Sequence, residues 1–133
     1  MDIHAVHDFL NKHSYWAKGI PENIVQTSLK NSFCIGAFDG SAQIGFARLI
    51  TDYATFAYLA DLYVLDAYRG KGLSKMMMKY LMNLEWTKGL RRILLATLDA
   101  HGLYNQFGFK YPDNPEWFLE LKRANIYEKN REV

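Results

Sequence analysis

Arg69-Gly70-Lys71-Gly72-Leu73-Ser74 sets two cations and two glycines between a strand-like apolar run, Tyr58 to Leu65, and an amphipathic helix. The helix carries apolar residues at Leu73, Met76, Met77, Tyr80, Leu81 and Leu84. Such a junction suits a phosphate. The first turn of a helix leaves N–H groups unpaired, and its dipole favours negative charge. Glycine lets the backbone come close to the anion, and Arg69 and Lys71 add full positive charges. The loop lacks the Gly-Lys-Ser/Thr ending of a Walker P-loop. A dinucleotide fingerprint would need Gly where Lys75 stands. Basic glycine loops also occur as plain turns, so both readings stay open on local sequence.

The elements that position this loop follow from hydrophobic periodicity. Residues 3–12 read as a helix with Ile3, Val6, Phe9 and Leu10 on one face. A loop with Tyr15 and Trp16 follows, and Pro21 starts a second helix at a first-turn position, with Ile24, Val25 and Leu29 as its stripe. Phe33 to Phe38 and Gln43 to Ile50 read as a hairpin around Asp39-Gly40, and a further strand spans residues 56–65. The loop helix covers about 72–86 and ends at Gly89. Arg92 to Thr97 is a continuous apolar strand of the kind buried on both faces, parallel to the strand before Arg69. A short helix is expected from Gly102 to Gln106, a last strand from Trp117 to Leu121, and a frayed tail from Lys122. The fold class is α+β with a mixed, mostly antiparallel sheet flanked by helices.

At 133 residues, with 50% hydrophobic and 15% aromatic content, the chain reads as one folded domain, residues 1–133. A net charge of +2 does not by itself imply nucleic-acid binding. The single cysteine, Cys34, excludes an internal disulfide and fits a reducing compartment. No apolar run is long enough for a bilayer, and Met1-Asp2-Ile3-His4 lacks a basic leader, so a cytoplasmic protein without a membrane partner is expected.

After the Arg92 strand comes Asp99-Ala100-His101-Gly102-Leu103-Tyr104-Asn105-Gln106-Phe107-Gly108-Phe109. A strand, an R-x-x-G-x-G/A loop, a helix, a strand, then a Tyr just before Gly-Phe resembles the GCN5-related N-acetyltransferase (GNAT) superfamily. The resemblance runs from about Phe33 to Phe118. Phe46-Ala47-Arg48 with Thr51-Asp52-Tyr53-Ala54-Thr55-Phe56 also looks like a bacterial subgroup of small, mostly uncharacterised members. Two departures stand out. Ser74 replaces the usual Gly or Ala, and its hydroxyl is placed to cap the helix. The family's first strand is missing, because the first helix begins almost at Met1; this exposes a sheet edge or invites pairing with another subunit, as in a homodimer.

The resemblance implies a central, splayed parallel strand pair whose first strand carries a bulge. Acetyl-CoA is the implied co-substrate, with no metal. Its pantetheine would lie along Leu62, Tyr63 and Val64, and its pyrophosphate on the backbone of Arg69, Gly70, Lys71, Gly72, Leu73 and Ser74, with Asn105 nearby. Tyr104 matches the family's proton donor to the CoA thiolate; the alternative is that it packs under the sulfur. Asp61 matches an acidic position of amine-acetylating relatives, and either acts as base or amine ligand or pairs with an Arg such as Arg48. His101 is of a residue type suited to act as a base and is otherwise a loop histidine. Tyr15, Trp16, Asp52, Tyr53 and Phe56 match the acceptor pocket, where aromatics beside an acid suit an amine. The implied reaction is acetyl transfer to a primary amine of a small molecule, peptide or protein. The competing reading is a non-catalytic acyl-CoA-binding module. A nucleic-acid partner is not expected, since no broad basic face is evident.

Overall fold

The computed structural model describes residues 1–128. The elements run α1 (Ile3–Lys12), α2 (Glu22–Lys30), β1 (Phe33–Asp39), β2 (Ala42–Thr51), β3 (Phe56–Val64), α3 (Leu73–Met82), α4 (Glu85–Lys88), β4 (Arg92–Leu95) and α5 (His101–Asn105). Asp2 caps α1 by accepting from the Ala5 N–H at 3.0 Å. Pro21 sits one position earlier than expected, at the N-cap of α2, where its extended ψ of 149° delivers the chain into the helix.

The sheet has the order β1-β2-β3-β4. The first two pairings are antiparallel and β3–β4 is parallel. The α+β class and the mixed sheet are therefore as expected, and no strand precedes α1 among the described residues. Phe46 and Ala47 are neighbours in β2 and so face opposite sides. Phe46 joins Val6, Phe9, Leu10 and Val25 of α1 and α2, while Ala47 joins Leu49, Leu59, Met78 and Leu81. Each face of the sheet is thus sealed by its own helical layer.

Several expectations change. The helix expected over 72–86 breaks after Met82, because Leu84 turns extended and the buried Thr87 hydroxyl donates to the carbonyls of Leu81 and Leu84 at 2.7 and 2.8 Å. Its buried stripe is Met77, Met78 and Leu81, so Met76 and Tyr80 face solvent. No strand forms over Trp117 to Leu121: residues 115–117 make a 3-10 turn, and the chain beyond lacks any ladder among the described residues. With that strand absent, the parallel pair lies at the sheet's edge, and β4 is only partly buried. The tail past Lys122 includes a turn over residues 124–128, with Tyr127 packed on the α1–α2 core.

Candidate active site

The site begins where two strands part. Parallel pairing runs from Phe56↔Arg92 to Leu59↔Leu95 and stops. β3 continues to Val64 with no strand on that side among the described residues. The parting coincides with a bulge. Phe46 pairs with Tyr63 and Arg48 with Ala60, so Ala47 alone faces both Asp61 and Leu62. Asp61 adopts φ 57°, a left-handed conformation that Asp tolerates better than most residues. The extra residue reverses side-chain parity. Leu59 and Leu62 both belong to the α3 core, whereas Tyr63 stacks on Phe9 of α1 at 3.9 Å and 7°. Leu62, Tyr63 and Val64 therefore have buried or half-buried side chains and border the gap through their backbone.

The glycine loop closes one end of this gap. Arg69 Nε donates to the Val64 carbonyl at 3.1 Å, and Nη1 pairs with Asp66 at 3.0 Å. Its guanidinium braces the loop against the end of β3. Lys71 Nζ lies 5.4 Å above the Tyr68 ring. Gly70 and Gly72 both have φ 79°, and Gly72 is the N-cap of α3, a role expected for Ser74. The first backbone bond into α3 runs from Met76 N–H to the Gly72 carbonyl, leaving the N–H groups of Leu73, Ser74 and Lys75 without helical acceptors. A Cβ at Gly70 or Gly72 would meet nothing within 4 Å, so the backbone is open to an approaching phosphate. Gly72→Ala should cost about 1–2 kcal/mol, because the demand for glycine there is φ and not space. Chemical denaturation of the two proteins checks this; an unchanged midpoint would contradict it.

Tyr104 sits in α5 with its ring buried and edge-on to Phe109 at 6.0 Å and 69°. Its hydroxyl makes no hydrogen bond with the described residues. Burial first, then Tyr15 and Asp99, push its pKa up to about 12. His101 opens α5, exposed, with its ring 5.7 Å from that of Tyr111, and Asn105 is exposed one residue after Tyr104.

Asp61 anchors the same loop. Its Oδ1 accepts from Trp16 Nε1 at 2.7 Å, and its Oδ2 accepts from Arg48 Nε and Nη2, each at 2.9 Å. Arg48 Nη1 donates onward to Ser32 Oγ at 3.1 Å. Trp16 lies edge-on to Tyr15 at 5.0 Å. Asp52, by contrast, is engaged in its own turn. It accepts from the N–H groups of Ala54, Thr55 and Phe56 and from the Thr55 hydroxyl. The Thr55 bonds foremost hold it well below the usual carboxylate range. Tyr53 packs on Trp86 at 4.8 Å, and Phe56 starts β3 opposite Arg92. The five residues expected at the acceptor pocket thus divide: Trp16 bonds Asp61 with Tyr15 edge-on beside it, while Asp52, Tyr53 and Phe56 lie at the β2–β3 turn. The Trp16–Asp61 bond spans 45 positions and left no local signal; the lone Arg48 in an apolar strand was the one hint that an acid must face it.

A family profile described as the acetyltransferase (GNAT) family matches residues 3–109. A Xanthomonas campestris protein assigned to the GNAT family superposes with a TM-score of 0.93 at 45% identity, covering 96% of this chain and 89% of that one. A structure from Clostridium acetobutylicum, described as a predicted acetyltransferase with acetyl-CoA, shares the fold at 18% identity and a TM-score of 0.66, over 92% of each chain. Among curated sequences, an acetyltransferase-named protein of Gibberella zeae is 30% identical over 69% of this chain, and a mouse thialysine N-epsilon-acetyltransferase is 30% identical over 65%. The matches span 63% and 56% of those two relatives' own lengths. No helix among the described residues is long and apolar enough to cross a membrane. Splayed strands, a bulge, a glycine loop on a helix N-terminus and a profile over most of the chain lead to one conclusion: this protein belongs to the GNAT acetyltransferase family.

Proposed function

We propose that this chain transfers the acetyl group of acetyl-CoA to a primary amine by direct attack, with Tyr104 as general acid. The observation that carries the reading is the unpaired stretch of β3 beside a buried phenol with no partner of its own. The amides of pantetheine would pair with the Leu62–Val64 backbone as an added strand, and the pyrophosphate would meet the N–H groups from Gly70 to Ser74. Placing both reactants in one gap supplies most of the acceleration. The neutral amine attacks the thioester carbonyl, an N–H near Val64 stabilises the oxyanion, the C–S bond breaks, and the thiolate takes the Tyr104 proton. The phenol is a weaker acid than in water. A thiolate in the same dry gap is desolvated as well, so its proton affinity rises alongside.

Asp61 already accepts three hydrogen bonds through its two oxygens. We therefore assign it to hold Trp16 and the acceptor loop, and leave the amine's proton to water or His101. Tyr15 and Trp16 border the acceptor, with Asp52, Tyr53 and Phe56 as an outer rim. The setting consistent with the lone Cys34 is the cytoplasm.

Acetyl-CoA at about 100 times its Kd should add about 2.7 kcal/mol of stability, a rise in Tm of about 10 °C. Free CoA should act alike and ATP should not. Thiol release with a panel of amines then reports turnover. The mouse relative's name puts thialysine first in that panel. No shift with either CoA species would sink the reading.

A further inference from the structure

The glycine loop carries two cations, and they are held differently. Arg69 is fixed by the Val64 carbonyl and by Asp66. Lys71 has no acidic partner among the described residues. The backbone around it is slack as well. Gly70 and Lys71 make no backbone hydrogen bond among the described residues, and the glycines on either side of Lys71 both stand at φ 79°. Glycine loses more freedom on ordering than any other residue, and a lysine side chain loses much too. An anion that had to order this stretch by itself would bind correspondingly weakly.

What holds Lys71 is an aromatic face. Its Nζ lies 5.4 Å from the centroid of the Tyr68 ring. That ring is tied in turn. Tyr68 ends the 3-10 turn Asp66–Tyr68, and its hydroxyl donates to Asp39 Oδ2 at 2.8 Å, across 29 positions of chain. Asp39 is the last residue of β1 and pairs with Ala42 across the hairpin, so the sheet anchors it. The bond to Asp39 raises the Tyr68 pKa, which keeps the hydroxyl a donor. Tyr68 packs in neither layer of the core. Its contacts run outward instead, from the β1–β2 hairpin through one phenol to the loop's free cation.

We propose that Tyr68 is a positioning residue for the phosphate site: held by Asp39, it fixes the Lys71 ammonium within the glycine loop before acetyl-CoA arrives. The assignment rests on the acetyl-transfer reading and deepens it. Part of the cofactor's affinity then comes from the β1–β2 hairpin, outside the loop that meets the pyrophosphate. Tyr68 acts through Lys71 and need not touch the cofactor.

Calorimetric titration with CoA tests it. Tyr68→Leu removes both the ring and the hydroxyl and should weaken CoA binding about three- to fivefold. Tyr68→Phe, which keeps the ring without its tie, should fall between that variant and the wild type. Asp39→Ala decides by sign. Removing an acid near an anion site tightens binding on charge alone, whereas loss of the tie loosens it, by about twofold or more. In a Lys71→Met background Tyr68→Leu should change nothing further, because the ring then has no cation to hold. A merely structural Tyr68 would not show that dependence. The side chain lies outside the core, so the unliganded variants should melt with the wild type. A wild type that does not bind CoA sinks the acetyl-transfer reading and this assignment with it. A wild type that binds, with Tyr68→Leu binding equally well, overturns the assignment alone. So does tighter binding by Asp39→Ala, or an undiminished Tyr68→Leu effect when Met replaces Lys71.

Discussion

Tyr104→Phe should lower kcat by about a hundredfold or more while acetyl-CoA affinity stays at its wild-type value. The substitution removes one hydroxyl that has no hydrogen-bond partner among the described residues, so the packing against Phe109 survives. Only a group that meets the leaving thiolate explains a loss confined to turnover. A module that binds acyl-CoA without catalysis would show no turnover to lose, and a Tyr104 that merely packs would leave kcat within a few-fold. Single-turnover thiol release, together with the acetyl-CoA melting shift, separates these outcomes. The pH profile adds a second check. With the phenol pushed up to about 12, the acid stays protonated across the range where free tyrosine, near 10, would ionise. The wild-type rate should therefore show no Tyr104 decline as pH passes 10. The same shift has a stability consequence. The folded pKa lies above the unfolded one, so the contribution of neutral Tyr104 is complete below pH about 10 and is lost as pH rises towards 12. Tyr104→Phe should soften that alkaline loss.

The second large effect is expected at the bulge. Asp61→Asn should cost about 3–5 kcal/mol and lower Tm by more than about 10 °C. The Asp61 and Arg48 side chains are 8% and 14% exposed, so the guanidinium would be stranded in a dry site. Asn tolerates the left-handed backbone as Asp does, so the substitution isolates charge from strain. Arg48→Met combined with Asp61→Asn should lose less than the sum of the two, because no lone charge remains. A calorimetric scan of the four proteins measures the coupling. A single variant that melts within a degree or two of wild type would show that this pair carries little. In variants that still fold, the acceptor KM should rise more than the acetyl-CoA Kd, since the one amide oxygen of Asn cannot serve both Trp16 and Arg48 as the two carboxylate oxygens do.

What was legible in the chain is local. The phosphate-type loop was readable because glycine and charge must lie next to a helix start, and Gly70 and Gly72 take the positive φ that explains their presence. Tyr104 was readable by its place before Phe107-Gly108-Phe109. The meander of β1 to β3 followed from alternation and a two-residue turn at Asp39-Gly40. Helix ends were less secure: the break after Met82 depends on Thr87 reaching back to Leu81, a tertiary detail.

The sequence by itself determined the family the chain resembles and the order of the elements from α1 to α5, the break between α3 and α4 excepted, because periodicity, glycine and charge act on neighbours in the chain. Only the tertiary structure decided that Trp16 meets Asp61, and that β4 lies at an edge with no ladder over Trp117 to Leu121 among the described residues. The reason is physical. The bulge at Asp61 changes which face every later β3 side chain takes, and the bond from Trp16 that accompanies it joins residues 45 positions apart, beyond the reach of any local pattern.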